Sequence, residues 1–141
     1  MNPIARNIFA AVVGLVIGSV VNLGLVTLGM SVVPLPKGTD VSTMEAVRES
    51  MKSLTPVYFI FPLLAHALGT LTGAFIAAKL AASHPMKFAI GIGVTFLVGG
   101  IAMICNCGGP LWFIAADLVL AYIPFAFLGG CLASGKRPPT A

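Results

Sequence analysis

The sequence has very little charge. Charged residues make up 9% of its 141 positions, while 58% of the positions are hydrophobic. A soluble domain has about 25% charged residues, and a disordered chain combines high charge with low hydrophobicity, so both classes are excluded. The remaining class is an all-α integral membrane protein. Its 8 basic residues outnumber the 4 acidic ones, but they are scattered in ones and twos, which indicates membrane topology and no nucleic-acid partner.

The apolar residues form four long runs that contain no charge. A helix crosses a bilayer with about 20 mainly apolar residues, and the turn signal at 106–110 separates the last two helices. The first run is longer than the apolar core of a cleavable signal peptide, about 7–15 residues, so we interpret it as a retained helix. The sequence therefore predicts a four-helix membrane bundle, one transmembrane domain over residues 1–141, embedded in a lipid bilayer, with spans at residues 7–32, 57–80, 86–105 and 110–133.

A short polar stretch between the first two spans predicts one further helix. Ser42 and Glu45 fit the S-x-x-E capping box, and Pro56 ends the segment. Its apolar residues recur every three or four positions and form one stripe, Met44, Val47, Met51 and Leu54. Its opposite face carries two acid–base pairs at i,i+3 spacing, Glu45–Arg48 and Glu49–Lys52. We expect an amphipathic helix at about 42–54 that lies on the outer membrane surface or covers the end of the bundle.

The distribution of Lys and Arg predicts the orientation in the membrane. Five basic residues fall on one predicted side and three on the other: Arg6, Lys79, Lys87, Lys136 and Arg137 against Lys37, Arg48 and Lys52. Because cytoplasmic loops carry the excess of basic residues, both termini are expected in the cytoplasm.

Polar side chains within the spans are few, and three of them are predicted to share one layer. At 1.5 Å per residue, Asn22, His66 and Asp117 lie about 15, 14 and 11 Å from the outer ends of their helices. Thr70, one turn from His66, extends this candidate layer. We expect Asp117 to point inward toward His66 and Asn22, because a carboxylate in lipid has no donor. The pair is either a structural clasp or a proton relay, and it has too few ligands for a metal site; no cofactor is predicted.

Two cysteines form a C-x-C pair at the outer end of the third span. Cys105 and Cys107 are a candidate thiol site, for disulfide exchange or for soft coordination of copper with methionines elsewhere in the chain, Met30, Met44 and Met51. Redox enzymes usually use C-x-x-C instead. The spacing therefore favours two cysteines that fill a packed helix end.

Small residues recur at four-residue spacing in three of the spans. Such ladders let helix backbones approach closely in lipid, and they comprise Ala10, Gly14 and Gly18, then Ala65, Gly69, Gly73 and Ala77, then Ala126, Gly130 and Ser134. They predict tight packing within the chain or between chains. Pro62 and Pro124 each interrupt the hydrogen bonding of a predicted span and are expected to bend it.

Several segments together resemble a known family. They are Phe61–Thr70 (FPLLAHALGT), Phe96–Gly100 (FLVGG), Trp112-Phe113, Asp117-Leu118 and Ala121–Pro124 (AYIP). The chain resembles a family of small four-helix bacterial inner-membrane proteins of uncharacterised function. The resemblance implies the four-span topology and a bacterial inner membrane, and it implies no activity. The segment Cys105–Cys107 is atypical for that family.

The sequence leaves three functions open. It contains no phosphate-binding loop, nucleophile elbow or H-E-x-x-H motif, so an enzyme is the less favoured class. The first hypothesis is a structural or accessory membrane protein that forms a homo-oligomer or binds another membrane protein. The alternative is a small proton-coupled transporter or permease that uses Asp117 and His66. The weakest is a membrane thiol redox protein that uses Cys105 and Cys107.

Overall fold

The computed structural model of the protein describes residues 2–135. Within that range the chain forms helices joined by short connections and contains no strand. The elements are α1 (Pro3–Val32), α2 (Met44–Met51), α3 (Val57–Leu80), α4 (Pro85–Cys107), α5 (Leu111–Ala116), a π-helical segment (Asp117–Ala121) and α6 (Ile123–Ser134). Lys136 and Arg137, which enter the predicted orientation, lie outside the described residues.

Four passes of the chain are long and apolar enough to cross a membrane: α1, α3, α4 and the stretch from α5 to α6. The prediction of an all-α chain with four long apolar helices is confirmed, and a membrane bundle fits this architecture. α1 begins at Pro3, before the predicted residue 7, because the Asn2 side chain accepts a hydrogen bond from the Ile4 amide and caps the helix. α4 continues to Cys107, beyond the predicted residue 105.

Consecutive passes run antiparallel. Arg6, near the start of α1, donates through Nε to the Leu80 carbonyl at the end of α3, at 2.8 Å. The end of α1 and the start of α3 therefore lie at the opposite end of the bundle. The end of α4 and the start of α5 lie at that same end, and α2 packs there against α4. We call it the α2 end.

α3 is the central helix and packs against α1, α4 and α6. Glycines let α1 approach it closely. A Cβ atom placed on Gly14 would lie 2.7 Å from the Gly73 carbonyl oxygen, and one on Gly18 would lie 2.8 Å from that of Gly69. The small-residue ladders of the first two spans therefore pack against each other within one chain.

α2 is shorter than predicted, and its predicted capping box is wrong. It spans Met44–Met51, and the hydroxyl of Thr43 accepts the cap hydrogen bond from the Ala46 amide at 3.1 Å. The Ser42 amide instead donates to Asp40 at 2.8 Å. Thr43 has the same hydrogen-bonding capacity as Ser42 and lies one residue further on, where the backbone turns into the helix. The predicted pair Glu49–Lys52 forms at 2.6 Å, whereas Glu45 and Arg48 form no ion pair in the described structure.

The fourth span is not the continuous α-helix predicted over 110–133. Between α5 and α6 the chain widens into the π-helical segment, and Tyr122 then leaves helical geometry at φ −108° and ψ −77°. Pro124 follows this break and contributes to it, because it has no amide to donate to the Leu120 carbonyl four residues earlier; Pro62, by contrast, leaves α3 continuous. The wider turn of a π-helix, with i→i+5 bonding, accommodates this break. It also changes which side chains of the span face the bundle.

Candidate functional site

Asp117 lies at the centre of the candidate site, at the start of the π-helical segment. Its side chain is fully buried, with 0% exposed. His66 reaches it from α3, one turn after Pro62, and the His66 Nδ1 to Asp117 Oδ1 distance is 2.7 Å. A carboxylate at this depth is costly unless it is partnered, so this hydrogen bond is what allows the acid to be buried. The structure thus brings together two of the predicted polar residues.

Tyr122 is the third member of the site, and sequence analysis missed it. Its hydroxyl donates to Asp117 Oδ2 at 2.8 Å and lies 3.0 Å from His66 Nδ1. Its ring also stacks on the imidazole, with centroids 5.7 Å apart. Tyr122 follows Asp117 by five residues. In an α-helix these two side chains would lie on different faces, but the i→i+5 bonding of the π-helical segment brings them together. The available signal was Pro124, whose missing amide indicates an irregular turn just before it.

Hydrogen bonds join Asp117, His66 and Tyr122 into a triad. The Tyr122 hydroxyl donates its one proton to Asp117 Oδ2. One further proton is shared between His66 Nδ1 and Asp117 Oδ1, and the same distance suits a donor on either atom. Where Nδ1 is the donor, the second ring nitrogen, Nε2, is the basic atom of the neutral ring.

Two cavities meet at His66, whose side chain is 21% exposed. The first, which we call the α1–α4 cleft, has a volume of about 290 Å³, and its polar lining comprises Ser19, Asn22, His66 and Tyr122. The second, which we call the α2-end cavity, has a volume of about 180 Å³ and extends from His66 and Asp117 to Cys107 and Met51. His66 therefore borders both cavities, as Gly100 and Met103 also do.

The other two residues of the predicted polar layer do not join the triad. Asn22 lines the α1–α4 cleft, and its Cβ packs near Gly69, but it makes no hydrogen bond to His66 or Asp117 in the described structure. Thr70 is fully buried, and among residues 2–135 its hydroxyl has no hydrogen-bond partner. The polar layer at this depth is therefore narrower than predicted and contains a tyrosine in place of the asparagine.

The predicted thiol pair is split between two environments. Cys105 is exposed and Cys107 is buried, because residues two apart point to different faces of a helix. The Cys107 sulfur instead lies 3.8 Å from the sulfurs of both Met44 and Met103. Among residues 2–135, no cluster of three or more His, Cys, Asp or Glu side chains is arranged to hold a metal ion.

Comparison with protein-family models, with curated proteins and with solved structures finds no match for this chain. The resemblance to small four-helix bacterial inner-membrane proteins therefore stays a prediction. Functional inference rests on the geometry of the site itself.

Proposed function

We propose that the protein is a small proton-coupled membrane transporter or permease in which the triad carries the proton. One observation supports this proposal above others. A fully buried carboxylate, Asp117, is held by His66 and Tyr122 at the point where two cavities meet. Intramembrane acids and histidines that pair beside cavities are typical of proton relays.

A purely structural clasp explains less of this geometry. A clasp is strongest when its polar atoms are enclosed by packed side chains, whereas His66 borders both the α1–α4 cleft and the α2-end cavity. Asp117 also lies in a π-helical segment. Such segments are rare and are found frequently at functional sites. Both features favour a role of the triad in proton transfer over a role in helix packing alone.

In the proposed mechanism His66 is the group that gains and loses the proton. Nε2 takes up a proton from one cavity, and the Asp117 carboxylate stabilises the resulting imidazolium through Nδ1. Tyr122 holds the second carboxylate oxygen and keeps Asp117 facing the ring. Release of the proton to the other cavity completes the transfer.

A pH jump across a supported membrane tests the proposal without knowledge of the transported substrate. Wild-type protein should give a transient current, because His66 takes up a proton from one side. His66→Gln and Asp117→Asn should lower the charge moved by about 100-fold or more, the range expected for loss of a proton-transferring group. Thr72→Val is the matched control: its hydroxyl bonds the Leu68 carbonyl on the same helix as His66, and the current should persist.

Two results would contradict the proton relay. One is a wild-type current no larger than that of protein-free membranes. The other is a current unchanged in Asp117→Asn, with the variant folded as judged by its thermal unfolding.

A second candidate, an accessory protein that acts as a homo-oligomer, is supported by the open face of α4. Gly91, Thr95 and Gly99 recur at four-residue spacing there, and a Cβ atom on either glycine would have no neighbour within 4 Å. Thr95 is exposed and bonds its own helix through the Gly91 carbonyl. A small-residue ladder whose glycines have no neighbour within 4 Å among residues 2–135 is suited to a second helix in the membrane.

The oligomer is tested by the fraction of dimer in detergent, measured by crosslinking or native mass spectrometry. Gly99→Leu should lower that fraction, because the side chain would hold the two backbones apart. Gly24→Leu is the control, since Gly24 also has no neighbour within 4 Å but lies on α1, outside any ladder. Equal effects of the two variants, or a wild-type protein that is monomeric throughout, would rule out this interface.

A further inference from the structure

Three sulfur atoms converge at the α2 end of the bundle, where α2 packs against the end of α4. The Cys107 sulfur lies 3.8 Å from the Met44 sulfur, contributed by α2, and 3.8 Å from the Met103 sulfur, one turn earlier on α4. Cys107 is 2% exposed, whereas both methionines are about half exposed (52% and 51%). We call this group the sulfur cluster.

Hydrogen bonding accounts for only part of this arrangement. A thiol carries one proton, so Cys107 can donate to one methionine at a time. The other methionine sulfur then faces the Cys107 sulfur with no proton between them. One thiol and two thioethers are the ligand types that a soft cation prefers.

The spacing also fits a metal ion bound between the sulfurs. Metal–sulfur bonds are about 2.3 Å long, and ligands that surround a trigonal ion at this distance lie about 4 Å apart. The two separations of 3.8 Å from Cys107 are close to this value. Cys107 and each of the two methionines are therefore already spaced as two ligands of one ion.

We propose that the sulfur cluster is a Cu(I) site, in which the Cys107 thiolate and the thioethers of Met44 and Met103 bind the ion. Thiolate and thioether ligands select Cu(I), whereas zinc sites use thiolate, imidazole and carboxylate ligands and no thioether. On binding, the Cys107 thiol loses its proton to water and a Cu–S bond forms, with no change in the oxidation state of copper. The resulting thiolate–Cu(I) pair is neutral, which suits a buried and largely apolar position.

The proposed ion would lie at the wall of the α2-end cavity. Met103 and Cys107 line this cavity, together with His66 and Asp117 deeper in the bundle. Met51 lines it as well, on the same helix as Met44. Met30, by contrast, borders a different pocket, formed by the end of α1 and the start of α3. The inference does not rest on the proton relay, since the sulfur cluster contains no member of the triad.

The test is a titration of purified protein in detergent with Cu(I) held by the chelator bicinchoninate, without oxygen. Wild-type protein should remove one Cu(I) per chain from the chelator. Cys107→Ser, Met44→Leu and Met103→Leu should each weaken binding by about 10-fold or more, as changes around metal ligands do. The two methionine variants keep side-chain volume at half-exposed positions, so they remain informative if Cys107→Ser fails to fold.

Two matched controls accompany the titration. Cys105→Ser removes the exposed thiol of the same C-x-C pair, and Met30→Leu removes a methionine that lines another pocket. Both should bind Cu(I) as the wild type does. X-ray absorption should show a shell of sulfur ligands about 2.3 Å from copper in the wild type, with fewer sulfurs in Met103→Leu.

Three outcomes would overturn the site. These are wild-type binding no tighter than that of Cys107→Ser, equal loss of binding in Cys105→Ser, and a copper shell without sulfur. Asp117→Asn distinguishes this inference from the proton relay, since it should abolish the pH-jump current and leave Cu(I) binding intact.

Discussion

Asp117 and Thr70 are the two buried polar side chains of the described structure, and their surroundings differ. Asp117 has a hydrogen-bond partner for each side-chain oxygen, whereas the Thr70 hydroxyl has no partner among residues 2–135. A buried polar group without a partner loses its hydration and gains nothing in return. Within the predicted polar layer, the structure therefore provides hydrogen-bond partners for the Asp117 side chain and not for the Thr70 hydroxyl.

Thr70→Val is therefore expected to stabilise the protein. The substitution conserves shape and removes an unpaired hydroxyl, which should raise the free energy of unfolding by about 1 kcal/mol. Thermal unfolding in detergent measures the change. A lower stability would show that the hydroxyl has a partner, such as a water molecule or a substrate.

Tyr122→Phe is expected to destabilise the protein while keeping the ring in place. Asp117 would lose the donor to Oδ2, and a buried group left short of one hydrogen bond costs about 1–3 kcal/mol. The same unfolding measurement applies, with Tyr58→Phe at the partly exposed start of α3 as the control. Equal stability of the two variants would contradict the geometry of the triad.

At the scale of elements, glycine content decides how closely α1 and α3 can approach. Gly14 and Gly24 lie on the same helix but have opposite surroundings. A Cβ atom on Gly14 would meet the Gly73 carbonyl oxygen and the Ala77 side chain at 2.7 Å, whereas one on Gly24 would meet nothing within 4 Å. A backbone atom such as the Gly73 carbonyl oxygen cannot move aside as a flexible side chain can. A side chain added at Gly14 therefore tests whether α1 packs closely on α3.

Gly14→Ala should destabilise the protein by about 1–3 kcal/mol, the usual cost of overpacking. Gly24→Ala should be neutral or stabilising by up to about 1 kcal/mol, because alanine favours a helix over glycine. Unfolding of both variants in the same detergent checks the pair. Equal effects would mean that α1 does not pack on α3 through this face.

The connection before α2 has a pH dependence of its own. Hydrogen bonds from Ser42, through its side chain and then its amide, hold the pKa of Asp40 below its usual value of 3.8. Because the folded-state pKa is lowered, the stabilisation is present above pH 3.8 and is lost as the pH falls through the folded pKa. The Ser42 amide resonance should therefore titrate with a midpoint below 3.8, and Asp40→Asn should abolish this titration. A midpoint above 3.8 would contradict the hydrogen bonds.

At the scale of the whole molecule, antiparallel packing assigns the basic residues to two ends. Arg6 bonds the end of α3, so it shares one end with Lys79 and Lys87, while the connections near α2 contain the other three. Among the described residues, each end of the bundle thus has three basic residues. The predicted orientation therefore depends on Lys136 and Arg137.

Reporter fusions check this orientation. Fusions after Ser83 and at the C-terminus should report the cytoplasm, and a fusion after Lys37 should report the opposite side. Replacing both Lys136 and Arg137 by neutral residues should weaken the preference, since the remaining basic residues are balanced. Opposite signals after Ser83 and at the C-terminus would contradict the four-span topology.

The number of long apolar passes and their helical type followed from the sequence alone, because each pass carries about 20 apolar residues and a helix is the way a single segment satisfies its backbone in lipid. The adjacency of His66 and Asp117 was foreseen as well, since equal depth in antiparallel helices follows from counting residues. The exact start of α2 could not be predicted in this way. Ser42 and Thr43 are both residue types that cap helices, and only the backbone path places the Thr43 hydroxyl where it accepts from the Ala46 amide.

Tertiary structure alone placed Tyr122 beside Asp117 and Met44 beside Cys107. Tyr122 reaches Asp117 because the chain between them is π-helical, and the regular 3.6-residue periodicity of an α-helix does not predict that contact. Cys107 meets Met44 because α2 packs back onto α4, bringing together residues 63 positions apart. Contacts of this kind depend on how helices pack, and apolar patterning in a membrane carries little information about which helix faces which, because lipid and protein interior are equally apolar.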